Sequence, residues 1–227
     1  HVVMHWRKGS GIESQVPKYK YKNNIINAGW VTTFNEKAVV SENRITKIPK
    51  SFDLKEATLF GCSLTTGFGV VNNDAKIKIG QSVVILGVGG VGLNIAQACS
   101  LVSANPIIGI DIHLNKLNLG KKFGLTHKLL NDKNLLKKIS KILDNKKADV
   151  VIETTGNSKN IELAYNLTNN DGKTILVGVP NKKINIYSLP LHFNKILKGS
   201  HGGLSQPNLD ISNYIKLFKV KKLIIKN

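Results

Sequence analysis

The sequence is poor in cysteine. Cys62 and Cys99 are the only two in 227 residues. They sit in unlike surroundings and make no disulfide framework, so a reducing compartment, the cytoplasm, is expected. Long apolar runs are missing as well. None reaches the roughly 18 residues of a membrane span, so no membrane partner is expected. Arginine and acid are scarce. Arg7 and Arg44 are the only arginines among 33 basic residues, against 14 acidic ones, for a formal charge of +19. Such a charge invites a nucleic-acid partner. However, aromatics make up only 6% of the chain, and no rings interleave with the scattered lysines for base stacking. The 31 Lys, 25 Asn and 25 Ile are the bias expected of AT-rich codons. A nucleic-acid role is therefore not expected. The opening "HVVMHWRKGSG" is too short and wrongly flanked for a signal peptide. It starts without Met inside a strand-like run, as a piece of a longer chain would.

What remains is a globular composition, with 41% hydrophobic residues and 20 Gly in a length that allows one or two domains. The first 50 residues are β-like: "HVVM", "AGWVTTF", "EKAVV" and "RITKI" are short apolar or alternating runs. The polar stretch 9–27, with "KYKYKNN" inside it, is expected to be a surface loop. In "PKSFDLKEATLF", Asp53 and Glu56 mark a helix start. Gly61 should break that helix, with a second beginning near Cys62.

From Gln81 the pattern changes. "SVVILG", "PIIGID", "HKLL", "ADVVIETTG" and "GKTILVGVP" are apolar strands. Between them lie helical patterns in "VGLNIAQACSLV", "LNKLNLGKKFG", "NDKNLLKKISKIL" and "SKNIELAYNLT". Continuous apolar strands alternating with helices predict an α/β fold, a parallel sheet covered on both faces. After Pro180 come "KINIY", "KILKGS" and a final helix "LDISNYIKLFKV".

"ILGVGGVG" carries G-x-G-x-x-G at Gly87, Gly89 and Gly92. By itself this pattern is weak. Here it follows a strand, opens a helix and precedes a strand ending in Asp111, 19 residues after Gly92. That is the arrangement of a dinucleotide site. Gly87 permits a tight turn, Gly89 lets a pyrophosphate approach, and Gly92 lets helix and strand pack closely. The helix N-terminus meets the phosphate charge. A carboxylate at Asp111 can accept bonds from ribose hydroxyls and repels a 2′-phosphate. No Arg follows it, which favours NAD over NADP. Lys116 is a further candidate at the adenine ribose, against the alternative of a solvated helix lysine.

With these residues in place, "GCSLTTGFGVVNNDAKIKIGQSVVILGVGGVGLNIAQ" resembles the zinc-dependent medium-chain alcohol dehydrogenases. "NAGWVTTFNEKAVVSENRITKIP" resembles that family's lead-in and "GKTILVGVP" its fifth coenzyme-domain strand. The resemblance implies a Rossmann doubly wound sheet with a β-rich remnant of a GroES-like catalytic domain. The expected division is 1–61 for the catalytic remnant, 62–203 for the NAD-binding domain and 204–227 for a return toward the catalytic domain. It implies an NAD-dependent oxidoreductase acting on an alcohol or polyol, with the corresponding aldehyde or ketone as the other substrate. Cys62 matches the third ligand of the family's catalytic zinc. The first two ligands and the proton-relay hydroxyl would lie upstream, so the chain alone is expected to be inactive, and no catalytic residue within it is assigned. The interval matching the family's structural-zinc lobe has no Cys, and no structural zinc is expected in this span.

By the same resemblance, NAD contacts fall on the loop Gly87, Val88, Gly89, Gly90, Val91 and Gly92, and on Asp111 and Lys116, while Thr66 is a candidate at the nicotinamide ribose or ring face, against the alternative of a helix hydroxyl bonded to its own backbone. Thr154, Thr155 and Gly156 follow the fourth strand, and Val177, Gly178 and Val179 end the fifth, near the nicotinamide. Family dimers pair at a sheet edge, here expected near Ile184–Tyr187 and Ile196–Ser200, so a homodimer is expected. Two other functions compete. One is the zinc-free branch of the superfamily, which reduces quinones or enones with NADPH; Cys62 and Asp111 argue against it. The other is a non-catalytic dinucleotide-binding module. Cys99 is expected in the core. His113 and His201 remain open between surface residues and cofactor or substrate contacts.

Overall fold

The computed structural model describes residues 1–180 and 182–225. The chain divides into two compact units. One is His1–Thr65 together with 205–225; the other is Thr66–Leu204.

The first unit opens with β1 (Val2–Met4). A hairpin follows, β2 (Lys18–Tyr21) and β3 (Asn24–Asn27), with Tyr21 opposite Asn24. β4 (Ile45–Lys47) returns antiparallel to β1, placing Thr46 opposite Val3. α1 (Leu54–Ala57) starts where the sequence predicts it. Asp53 Oδ1 accepts from the N–H groups of Lys55 at 2.7 Å and Glu56 at 3.2 Å, satisfying two free donors of the first turn. Phe52 packs edge-on against both Phe60 and Phe218, with 5.5 Å between ring centroids in each pair.

Three local expectations are corrected. "KYKYKNN" forms a hairpin rather than a loop, because its Lys–Tyr alternation has the two-residue period of a strand and Lys22 turns at φ 53°. "AGWVTTF" and "EKAVV" form no strand. An apolar run becomes a strand only when a neighbour completes its ladder, and β1 and β4 pair with each other in a sheet of two. Trp30 instead lies under the Arg44 guanidinium, 4.9 Å from the ring centroid. "KINIY" is irregular too.

The second unit begins within α2 (Ser63–Gly69), which continues as a turn of π-helix over Val70–Ala75. Strands and helices then alternate: β5 (Val83–Leu86), α3 (Gly90–Leu101), β6 (Ile107–Asp111), α4 (Leu114–Lys122) and β7 (His127–Leu130). After these come α5 (Leu135–Ile142), β8 (Ala148–Glu153), α6 (Ser158–Leu167), β9 (Thr168–Leu176) and β10 (Ile196–Gly199). The last helix, α7 (Pro207–Lys219), belongs to the first unit.

The six strands β5 to β10 form one parallel sheet in the order β10-β9-β8-β5-β6-β7. β5 and β6 are buried along their whole length. On one face Val84, Leu86, Ile108, Ile110 and Val151 pack with Leu135, Ile139 and Ala164. α3 packs on β5 and β6. Each large apolar side chain so buried contributes roughly 1.5–3 kcal/mol. This explains why the strands carry no polar alternation. Cys99 is buried in this unit, as expected of a core residue, and burial pushes its thiol pKa up.

A lysine is buried here as well. Lys195 is 5% exposed, donates to the Thr168 carbonyl at 2.8 Å, and holds its ammonium 4.2 Å from the Tyr165 ring centroid. Burial, helped by repulsion from Lys147, pushes its pKa down from 10.5 to about 8. Between these values the unfolded chain keeps a proton that the folded chain has released. Stability should therefore rise with pH across that window. Urea unfolding of the wild type from pH 8 to pH 10 should show this rise. Lys195→Met should flatten it, and an equal slope in the two proteins would exclude Lys195 as its source.

Candidate functional site

The Gly-rich loop joins β5 to α3. Gly87 turns at φ 92°, a conformation side chains disfavour, and donates its N–H to the Ile110 carbonyl at 2.8 Å. A Cβ on Gly92 would overlap the Gly87 carbonyl oxygen, so close packing of helix on loop requires glycine there. Gly89 and Gly90 are different. A Cβ on either would meet nothing within 4 Å. The first turn of the 12-residue α3 thus opens onto free space, with its N–H groups unpaired by the helix itself. Open space at a helix N-terminus fits a pyrophosphate.

Asp111 ends β6, the neighbour of β5. Its carboxylate is nearly buried, and its two oxygens accept from backbone N–H groups, Oδ2 from Val88 at 2.8 Å and Oδ1 from His113 at 2.9 Å. One acid thereby ties the Gly loop to the tip of the next strand. Each oxygen retains capacity for another donor, such as a ribose hydroxyl. Beside it lies an open pocket of about 690 Å³, lined by Gly87, Asp111, Ile112, His113, Lys116 and Thr155 among others, with no arginine. The donor and acceptor set fits the adenosine half of a dinucleotide.

The residues after β8 and β9 meet at the same edge. Thr154 Oγ1 donates to the carbonyls of Leu86 and Gly87, each at 2.9 Å. The N–H groups of Val177 and Gly178 donate to the Glu153 carbonyl at 2.7 and 3.1 Å. Gly178 abuts Gly156 so closely that a Cβ on it would overlap the Gly156 nitrogen. Val179 is exposed, and Val91 lies in the first turn of α3. Thr66 is buried on α2, where its carbonyl abuts Gly203.

Sequence reasoning missed Glu153. Its side chain is fully buried. Oε1 accepts from the Thr155 N–H at 2.6 Å and from the Thr155 hydroxyl, and Oε2 accepts from the Gly156 N–H at 3.0 Å. Like Asp111, it is an acid at a strand tip whose oxygens hold the following loop. An acid closing the apolar run "ADVVIE" was the available signal.

The metal candidate stands differently. Cys62 belongs to the first unit, is exposed, directly precedes α2, and accepts at its carbonyl from Thr65 Oγ1 at 3.0 Å. Zinc takes three or four protein ligands. Among the described residues no group of three or more His, Cys, Asp or Glu comes together. The residues present therefore do not make a zinc site.

A six-stranded parallel sheet with a Gly-rich first crossover and an acid on the second strand defines a Rossmann-type unit. The family model described as zinc-binding dehydrogenase matches residues 90–219, and the chain belongs to that family. It is 34% identical to alcohol dehydrogenase 2 of Oryza sativa subsp. japonica over 198 residues, 85% of this chain and 52% of that protein. It is 33% identical to the alcohol dehydrogenase of Malus domestica, with the same coverage. Among solved structures, benzyl alcohol dehydrogenase from Acinetobacter calcoaceticus superposes with a TM-score of 0.75 at 26% identity, over 81% of this chain and 51% of that one. The chain thus spans about half the length of these relatives. Among its described residues, no helix is long and apolar enough to cross a membrane.

The close approach at Gly92 has a direct consequence. Gly92→Ala forces α3 away from the loop and should cost about 1–3 kcal/mol, as overpacking does. Chemical denaturation checks this. A variant as stable as the wild type would show that the loop yields without strain.

Proposed function

We propose that the chain is the coenzyme-binding part of an NAD-dependent, zinc-type alcohol or polyol dehydrogenase. The observation that carries this is Asp111, held by Val88 and His113 beside the same pocket as the Gly loop. In this proposal the amides of Gly89, Gly90 and Val91 receive the pyrophosphate, with Gly87, Val88 and Gly92 shaping the loop beneath it. Asp111 accepts from the adenosine ribose, and Lys116 closes the ribose side. Thr154, Thr155 and Gly156 wall the middle of the cleft. Thr66, Val177, Gly178 and Val179 take the nicotinamide end.

When bound, the nicotinamide ring supplies the carbon that accepts or donates hydride. The chain's own work is placement: it fixes the ring at one edge of the sheet and presents one face to the substrate. NAD is preferred because the Asp111 charge repels a 2′-phosphate and no arginine lines the pocket to neutralise one. The same charge disfavours an NADPH-dependent quinone or enone reductase. The names of the relatives support an alcohol as substrate and an aldehyde or ketone as product. Cys62 is the zinc ligand this chain would contribute to an intact enzyme. Because no group of three or more candidate ligands comes together among the described residues, turnover by this chain alone is not expected. A reducing compartment, the cytoplasm, suits its two unpaired cysteines. The division of labour follows the resemblance, with 1–61 and 204–227 on the catalytic side and 62–203 on the coenzyme side.

Among the described residues β10 is the outer strand of the sheet and pairs only with β9. We place the homodimer contact at this edge, at Ile196–Gly199, since an unpaired edge offers a ladder to a second copy. Sedimentation at micromolar concentration should give a dimer, and a clean monomer would refute it.

Calorimetric titration tests the cofactor assignment. NAD should bind at least about tenfold more tightly than NADP, and Asp111→Ala should cut NAD affinity by about tenfold or more and narrow that ratio, the loss expected for hydrogen bonds to a charged group. Equal binding of the two cofactors by the wild type would overturn the NAD assignment.

A further inference from the structure

Asp74 lies in the π-helical turn after α2, and its side chain is completely buried. Nothing in the proposed cofactor site uses it. Its Oδ2 accepts from Ser200 Oγ at 2.6 Å. The Lys198 ammonium lies 2.7 Å from Oδ1, off the line of a well-formed hydrogen bond, so that contact is an ion pair. Ser200 Oγ in turn accepts from the Gly203 N–H at 3.0 Å. Next to Asp74, Asn73 Nδ2 donates to the carbonyls of Gly203 at 2.9 Å and Leu204 at 3.3 Å. Two consecutive side chains of one turn thus grip a single short segment, 200–204.

That segment has an unusual backbone. Gly202, Gly203 and Leu204 are all left-handed, at φ 61°, 65° and 48°. Leu204 has a Cβ, and such a conformation persists only where the surroundings hold it. The segment directly continues β10, and the Ser200 N–H donates to the Leu176 carbonyl at 2.7 Å, just before Val177. Its Gly203 sits against the Thr66 carbonyl and the Gly69 backbone. It therefore spans the space between α2 and the end of β9, the two elements that carry Thr66 and Val177.

The carboxylate of this pair is buried while Lys198 is partly exposed, and a charge withdrawn from water is a poor device for stability alone, because desolvation offsets most of its attraction. What charge-assisted bonds supply is direction. We propose that Asp74 is a positioning residue: acting through Ser200 and Lys198, it holds the 200–204 turn between α2 and β9 and so sets the geometry of the nicotinamide end of the cleft. The inference rests on the proposed dinucleotide site. Asp74 touches no cofactor; its effect passes through the turn.

The test compares NAD with ADP-ribose, which keeps the adenosine and pyrophosphate and lacks the nicotinamide. In the full chain, Asp74→Ala should lower NAD affinity about tenfold, as removing a charge-assisted bond does, and leave ADP-ribose affinity unchanged. Asp74→Asn, which keeps an acceptor for Ser200, should recover part of the loss. The double variant with Ser200→Ala should be no worse than Asp74→Ala, because both act on one bond chain. Equal losses for the two ligands would reduce Asp74 to a general structural role, and no loss for either would remove it altogether; each outcome overturns the proposal. If the wild type binds neither ligand, the dinucleotide site itself fails, and amide exchange still judges the grip. Exchange at Gly203 should quicken in Asp74→Ala while Leu93 in α3 stays protected. Unchanged protection at Gly203 would overturn the grip as well.

Discussion

An all-parallel sheet sends the C-terminal ends of its strands to one edge, and most of what this chain can do follows from that constraint. β5, β6, β8 and β9 end at Leu86, Asp111, Glu153 and Leu176, and each is followed by a residue of the candidate site. The order β10-β9-β8-β5-β6-β7 sends the chain from β5 outward to β6 and β7, then back across to β8. The reversal opens a crevice beside β5, where the Gly loop stands and where open α/β sheets take their ligands. Burial on both faces holds this frame rigid. The site needs no special scaffold beyond it.

At that edge the chain repeats one device. Asp111, Glu153 and Asp74 are acids withdrawn from water whose oxygens accept from nearby N–H or hydroxyl groups. Asp111 anchors the Gly loop, Glu153 the loop after β8, and Asp74 the turn after β10. A carboxylate in such a place is costly unless donors meet it. Once met, it fixes a loop more narrowly than apolar contact can, since hydrogen bonds have direction and packing has little. The first two anchors stand beside the Gly loop and after β8. The third holds the turn after β10, where Gly202 and Gly203 are left-handed.

Legibility in the sequence followed how local each cause was. β5, α3 and Asp111 could be read because loop, helix start and acid obey a fixed spacing along the chain. Asp53 could be read as a cap because its partners, Lys55 and Glu56, are its neighbours. "AGWVTTF" and "EKAVV" misled because strand formation depends on a partner, and partnership is not written in the run itself. "KYKYKNN" looked like a loop from its polarity, although its period was that of a strand. Glu153 left a faint signal at the end of "ADVVIE". Asp74 left none: its partner Ser200 lies 126 residues away, and in sequence Asp74 is one more polar residue after a helix.

The lysines teach a related lesson about charge. A formal +19 is large for this length, yet the ammonium groups serve local ends. Lys198 pairs with Asp74, Lys138 with Asp132, and Lys195 caps the Thr168 carbonyl under an aromatic ring. Where lysines gather they hinder one another: burial and the charges of Lys78, Lys76 and Lys198 together push the Lys173 pKa down. Recognition of a polyanion needs charge concentrated on one face. A diffuse positive field can still draw a dinucleotide toward the molecule from any side. In the proposed function, selection among anions falls to the single negative charge at Asp111, beside the pocket that the Gly loop borders.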